Sequence, residues 1–476
     1  MTMQPEEILA REARARDARR ALEPVWQEAY DHVLARTPGQ GGPMLYDATA
    51  ADAAEQLAAS LIAELCPPWS RWFGLAPARG AAAGADFARA CEEAAETLQA
   101  HLDRSNFALE LHQCFLDLVV AGTAVLAVEE APIGEPSALA FRAVPLREAV
   151  LEEGPSGRLE TVFRSLRLSA AEAARRFPFA EALPRGGAAE RPCRIVEAVL
   201  PDPRGGVRYA AVLDPEGEGA PALLASARLA DSPFLAFRWL KAPGETYGRG
   251  PVVKALPDIR TANKVVELIL KNASIAASGI WLAEDDGVLN PATIRLEPGA
   301  IIPKAPGSQG LVPLPPAGSF DVSQLVLEDL RRRIRAALLA DRIAPPAARM
   351  TATEVIERSA ETARLLGATY GRLQTELLSP LIARCLRILA RRGEIPSELV
   401  DSGDLRLLYQ SPLARVQGRA DAANTLLFLQ ATAALGPAAQ KRVDAAAAVD
   451  VLARTLGAPA EILIPAPTPA EETTTA

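Results

Sequence analysis

Apolar positions along the chain recur mostly at helical spacing. Residues 5–36 read as one amphipathic helix, with Leu9, Leu22, Val25, Trp26 and Tyr30 among its apolar positions. Thr37–Pro43 reads as a loop. A second helix runs from about Asp47 to Leu65, because Ala54, Leu57, Leu61 and Leu65 share one face, and Pro67-Pro68 stops it. Trp69, Trp72 and Phe73 follow within five residues, a density that reads as a helix end wedged against the core. Helices near Asp86 and Asn106 come next. Phe107, Leu111, Phe115 and Leu118 form the stripe of the latter, and Gly122 breaks it ahead of an alternating strand at Thr123–Glu129.

The period changes between residues 138 and 240. Phe141–Pro145, Arg194–Leu200 and Val207–Val212 are short strand-like runs separated by turns such as Asp202-Pro-Arg-Gly-Gly206, which predicts a small sheet-bearing lobe. Ser169 N-caps a short helix within it, with Glu172 placed for a capping box.

Helical spacing returns at Pro251. Leu256, Ile259, Asn263, Val266, Leu270 and Ala273 predict a helix to about Gly279, with Pro257 marking a kink or a later start. Residues 280–320 are proline-rich and strand-like. A second long helix starts near Asp321, with Val322, Leu325, Val326, Leu330, Ile334, Leu338 and Leu339 on its apolar side. Ala344–Arg349 interrupts it, because Pro345 and Pro346 cannot continue a helical ladder. Thr351 and Glu354 form a capping box for a helix reaching Pro380, and Leu381–Arg392 forms another. Residues 412–457 are Ala-rich helix, and the Pro/Thr/Ala tail is expected to be disordered.

Composition narrows the function classes. The 476 residues carry 51 basic and 59 acidic side chains, a formal charge of −8, which disfavours tight gripping of phosphates but allows DNA to slide past. Five scattered cysteines without a CxxC pair read as reduced, buried thiols, and three histidines at unhelpful spacings propose no zinc site. The charged N-terminus is no signal peptide, and no apolar run reaches membrane-spanning length.

Catalytic patterns are missing from the sequence. It has no phosphate-binding loop of the GxxxxGK[ST] type, no GxSxG and no HExxH. Gly244, Gly248 and Gly250 do not fit a dinucleotide fingerprint, and Asp285-Asp286-Gly287 lacks the ligands of a calcium loop. The expectation is no enzyme, no cofactor and no metal. The sharpest basic run is Arg331-Arg332-Arg333 with Arg335. It reads either as a solvated helix face beside Glu328 and Asp329, or as DNA-backbone contact or intersubunit ion pairing.

Several segments, in order, resemble the head-to-tail connecting (portal) proteins of short-tailed phages. They are Tyr46-Asp-Ala-Thr, Pro67-Pro68-Trp69 with Trp72-Phe73, Phe237-Arg238-Trp239, Gly244-Glu-Thr-Tyr-Gly-Arg-Gly-Pro251 with Asn263, Met350-Thr-Ala-Thr-Glu-Val355, and Ser411-Pro-Leu-Ala-Arg415. The likeness covers roughly residues 20–465. It implies a mainly α fold with a small α+β wing region, assembled as a ring of twelve. The implied parts are a wing at 1–240, then a wing-to-stem segment with the first stem helix at 241–279. A clip at 280–320 and a second stem helix at 321–342 follow. A channel loop with its following long helix spans 343–379, a helical crown 380–465 and a disordered tail 466–476.

The resemblance further implies a conduit for double-stranded DNA at the portal vertex of the virion, assembled in the host cytoplasm. Its implied partners are the large terminase subunit, tail adaptors, and the major capsid and scaffolding proteins, with no membrane. Candidate channel or intersubunit residues are Arg349, Arg342, Arg331, Arg332 and Arg335. Arg349 and Arg342 either approach DNA in the lumen or pair with acids of a neighbouring subunit. The other readings open at this point are a different oligomeric phage-particle component, such as an adaptor or internal protein, and an enzyme of unfamiliar type.

Overall fold

A computed structural model describes residues 4–34, 44–68, 70–77, 85–180, 183, 192–215, 219–278, 281–283, 305–307, 311–313, 320–340, 367, 369–401, 405–410, 412–440 and 442–456. The fold is mainly helical with a smaller β-sheet region. The helices α1 (Pro5–Arg19), α2 (Glu23–Val33) and α3 (Thr49–Leu65) lead to strand β1 (Phe73–Pro77). The helices α4 (Ala85–Arg104) and α5 (Phe107–Ala121) then lead into β2 (Thr123–Glu130) and β3 (Leu139–Val144). The apolar stripes of α3 and α5 face each other: Leu57, Phe115 and Leu118 are fully buried together.

The expected single helix over residues 5–36 is two helices. Pro24 stands at the start of α2 and has no N–H for the ladder of a continuous helix, so the chain turns at Arg20–Leu22. As a result Leu22 and Val25 face solvent, while Trp26 is buried.

The sheet-bearing lobe is an antiparallel meander of β4 (Ala149–Glu153), β5 (Leu159–Ser169), β6 (Pro192–Pro201), β7 (Val207–Asp214) and β8 (Ala222–Leu229). Its two faces follow the period of two along β6. Val196, Ala198 and Leu200 pack under Ile8 and Ala15 of α1. Ile195 packs with Phe177, at the end of α6 (Ala170–Arg176). The capping box of α6 forms as expected, between Ser169 and Glu172. Strand β9 (Phe234–Arg238) returns to the body and pairs with β2, giving the three-stranded order β3-β2-β9.

Two features of the body depart from the expected elements. Phe73 does not merely end a helix: it begins β1, which pairs antiparallel with β12 (Leu405–Tyr409), Phe73 opposite Tyr409. Trp72 is 1% exposed beside it, and Trp69 lies outside the described residues. The helix expected to stop at Pro380 instead runs on. A π-helical turn at Gln374–Leu378 passes directly into α9 (Ser379–Arg391). Both the N–H and the hydroxyl of Ser379 donate to the Gln374 carbonyl, so the ladder has shifted by one residue before Pro380, which has no N–H to offer. Leu381, Cys385 and Leu389 of α9 are fully buried in the body core with α3 and α5. The short α10 (Ser397–Asp401) packs against α9 and α4. Beyond β12 lie α11 (Pro412–Ala434), α12 (Pro437–Gln440) and α13 (Ala445–Leu456).

Candidate functional site

The two long helices expected from the sequence are present. Helix α7 spans Pro251–Ser278, 28 residues or roughly 42 Å, and starts at Pro251 rather than after Pro257. Helix α8 spans Phe320–Ala337. Asp258, near the start of α7, meets Arg333, near the end of α8, at 2.9 Å, so the helices run antiparallel. Between them the chain forms a two-stranded ladder, β10 (Trp281–Ala283) with β11 (Leu311–Pro313).

The pair is embedded at one end only. Val252, Ala255, Ile259 and Ala262 of α7, with Leu330, Ile334 and Leu338 at the other side, sit in the body core. Toward the ladder, Leu268 and Leu270 are 48% and 52% exposed, and Leu325 is 69% exposed. These protruding aliphatics lie on helix faces left open among the described residues.

Two polar joints hold the embedded end. The first gathers α7, α8 and the entry to α3. The Asn263 carboxamide oxygen accepts from the N–H groups of Tyr46 (2.6 Å) and Asp47 (3.1 Å), and its NH2 donates to the Met44 carbonyl (3.1 Å). Asp47 in turn accepts from the Thr49 N–H at 2.9 Å and from Arg331 at 2.8 Å. Burial raises the Asp47 carboxyl, but the Thr49 bonds and the Arg331 guanidinium outweigh it and hold the group below the usual carboxylate range.

The second joint centres on Arg238, fully buried at 0% exposure. It donates to Glu376 (2.6 Å), Glu153 (3.0 Å) and the carbonyls of Thr246 (3.0 Å) and Gly157 (2.9 Å). One guanidinium therefore ties β9, the β4–β5 turn, the π-helical turn and the approach to α7. The neighbouring glycines explain themselves by close approach. Gly122 caps α5 at φ 85°, and a Cβ there would overlap the backbone nitrogen of Gly250. A Cβ on Gly250 would lie 2.6 Å from the Val119 carbonyl oxygen. Tyr247 fills the space above: its hydroxyl accepts from the Leu151 N–H (3.0 Å), and its ring meets Trp26 edge-on at 5.1 Å.

The candidate arginines separate. Arg331 is turned inward to Asp47, within the same chain. Arg332 is exposed and pairs with Asp329 one turn away, the solvated-face arrangement. Arg335 is exposed without a partner among the described residues. Arg342 and Arg349 lie outside the described residues. The sequence did not single out Glu376 and Glu153. The available signal was Arg238 itself, a charge inside the apolar run Phe234-Leu-Ala-Phe-Arg-Trp239, where burial demands a counter-ion.

Among the described residues no group of His, Cys, Asp or Glu is placed to hold a metal ion, and all five cysteines are buried thiols outside any disulfide. Burial raises the thiols of Cys66, Cys91, Cys114 and Cys385, the opposite of what activates a nucleophile. No helix among the described residues is long and apolar enough to cross a membrane.

The chain is similar to known phage proteins. The portal protein of Enterobacteria phage T3 is 25% identical over 304 residues, covering 62% of this chain and 55% of that protein. The probable portal protein of Bordetella phage BPP-1 is 25% identical over 506 aligned residues, covering 96% of this chain and 88% of that protein. The chain thus spans about half the length of the first relative and most of the second. A chain from the neck of a native gene transfer agent particle aligns over 79% of this chain and 86% of its own, at 14% identity and a TM-score of 0.37. The model of the family described as bacteriophage head to tail connecting protein matches residues 5–463, and the chain belongs to that family.

Proposed function

We propose that the protein is a portal subunit: a non-catalytic structural protein that assembles as a ring of about twelve copies at one vertex of a phage capsid. The ring encloses the channel through which double-stranded DNA enters and leaves. The observation that carries this reading is the antiparallel α7/α8 pair, anchored at one end and bare at the other, in a chain that matches the family model almost throughout. Bare aliphatics on a long helix face suit burial against the same faces of neighbouring copies. An acidic balance suits a wall past which phosphates must slide without sticking.

In this reading residues 1–240 form the wing, α7 and α8 the stem, and 280–320 the clip that docks the packaging terminase and later the tail adaptors. Residues 343–350 are a channel loop carrying Arg349 toward DNA, with Arg342 just before it at the end of the second stem helix. Of the crown expected at 380–465, residues 412–456 supply the helices in this reading, because α9 and β12 pack with the body. Capsid and scaffolding proteins surround the wing, and assembly takes place in the host cytoplasm. Axial class averages of the purified protein test the reading. They should display rings with a central hole of about 20 Å or more, the width of a duplex. A chain that stays monomeric at micromolar concentration contradicts it.

A further inference from the structure

The edge strand of a sheet leaves alternate backbone N–H and C=O groups without a ladder partner, and folded proteins cover them. Three of the four edges in the two larger sheets are covered by side chains. On β4 the Leu151 N–H donates to the Tyr247 hydroxyl at 3.0 Å, and the Ala149 carbonyl accepts from Arg19. On β3 the Phe141 N–H donates to the Asn106 carboxamide oxygen at 3.0 Å, and its carbonyl accepts from the Asn106 NH2 at 2.8 Å. Two residues on, the Ala143 N–H donates to Glu110 at 2.7 Å. On β9 the Arg238 N–H donates to Glu376 at 2.9 Å. The fourth edge, β8, pairs with β7 on one side, and among the described residues nothing bonds to the backbone of its other side.

The phase of the ladder identifies the open groups. The Asp202 N–H donates to the Gly206 carbonyl at 3.0 Å, so even-numbered residues of β7 face β6, and Tyr209 faces β8 opposite Ala227. Ser226 and Arg228 therefore point their N–H and C=O groups outward, and both residues are exposed. The bulge opposite Ala211–Val212 leaves Ala225–Leu229 in unbroken register. Beside this stretch is a cavity of about 250 Å³, bounded by Ala227 and Leu229 of β8 with Tyr209, Phe234, Glu129 and Glu197. That is below the roughly 300–1,000 Å³ of small-molecule pockets, so it suits one side chain rather than a whole ligand. Its surroundings are acidic: Glu129, Glu148 and Glu197 share two guanidiniums. Arg176 lies 3.0 Å from Glu129 and 2.8 Å from Glu197, while Arg164 lies 3.3 Å from Glu148 and 3.7 Å from Glu197. Glu197 is 0% exposed, and its Oε2 has no hydrogen bond among the described residues.

We propose that β8 is a docking edge for an extended segment of a partner protein, one that carries a lysine or arginine opposite Ala227. The open groups of Ser226 and Arg228 require an occupant with extended backbone, and the segment's own N–H and C=O groups complete the ladder there. Its side chain opposite Ala227 stands on the same face of the sheet as the cavity. An aliphatic stem lies along Leu229 and Phe234, and the cation at its end meets Glu129, supplying the positive charge that three carboxylates around two guanidiniums lack. A second β8 does not serve in a ring. Pairing β8 with β8 is a two-fold contact, whereas neighbours around a ring of more than two copies meet through unlike faces.

The test pans a displayed library of random short peptides on the full chain. Enriched peptides should alternate β-branched and polar residues, carry Lys or Arg at one fixed position, and protect the Ser226 and Arg228 amides from hydrogen exchange. Ser226→Pro removes an outward N–H that β7 does not use, so the unfolding midpoint should hold while affinity for the enriched peptides falls at least about tenfold. Glu129→Gln keeps the edge intact. It should cut the advantage of the basic peptides over their Leu counterparts by about threefold, the scale of a partly exposed ion pair. A library that yields no enriched sequence, or peptides that bind Ser226→Pro as tightly as wild type, overturns the docking edge. Enriched peptides without a basic position, or an advantage untouched by Glu129→Gln, overturn the assigned chemistry. Pairing of wild-type chains that Ser226→Pro abolishes gives the edge to a second copy and overturns the partner. None of these outcomes bears on whether the chain forms rings, so the ring reading stands or falls separately.

Discussion

The two halves of the α7/α8 pair have the same kind of sequence and opposite surroundings. At the embedded half, Ile259, Ile334 and Leu338 are 3%, 1% and 0% exposed. At the protruding half, Leu270 and Leu325 recur at the same helical spacing and are more than half exposed. Spacing therefore fixes which face of a helix is apolar, and neighbouring elements decide whether that face is dry. The embedded half is part of a subunit that is complete in itself, held by two saturated polar joints. The protruding half has apolar side chains that nothing among the described residues covers, the feature that the proposed assembly surface rests on.

Substitutions separate the halves by size of effect. The largest belongs to Arg238→Ala, which strands Glu376 and Glu153 around an emptied, buried hub. Subunit stability should fall by about 3–5 kcal/mol in urea denaturation. A loss under about 1 kcal/mol would mean that the joint is not closed as described. Next comes Ile334→Ala, which opens a cavity in the embedded half and should cost about 2–4 kcal/mol by the same measurement.

The Asp47–Arg331 pair should show itself through pH. The folded-state pKa of Asp47 lies below its unfolded value, so its contribution is present above the unfolded carboxylate range, about pH 4, and is lost as pH falls through the folded value. Arg331 is 38% exposed, so solvent screening keeps the pair to no more than about 1 kcal/mol. Asp47→Asn should flatten the acid limb of the stability curve by about that amount, and an unchanged acid limb would detach Asp47 from the joint. The smallest effect on the subunit belongs to Leu325→Ala in the protruding half, under about 0.5 kcal/mol. The same change should lower ring yield, and a large loss of subunit stability would show that Leu325 has intrachain cover after all.

Much of this organisation was legible in the sequence, for reasons that also mark its limits. Both long helices, the Ser169–Glu172 capping box and the break at Gly122 are local patterns, and each was found within a few residues. Pro24 was legible too, but a helix was read through it. The β1–β12 ladder joins Phe73 to Tyr409, and no local pattern in either short run names its partner. The site shows the same division. The arginine run at 331–335 stands out in the sequence, yet what separates Arg331 from Arg332 is an aspartate nearly three hundred positions earlier.

The central claim is that the protruding half of the helix pair is an interface between copies. Native mass spectrometry of the purified wild-type chain and of a Leu270→Asp/Leu325→Asp variant tests it most directly. The wild type should form a closed ring of about 600 kDa, as expected for twelve copies of a 50.4 kDa chain. The variant should remain a single 50.4 kDa chain whose unfolding midpoint matches that of dilute wild type. A variant that forms the same ring as the wild type contradicts the claim.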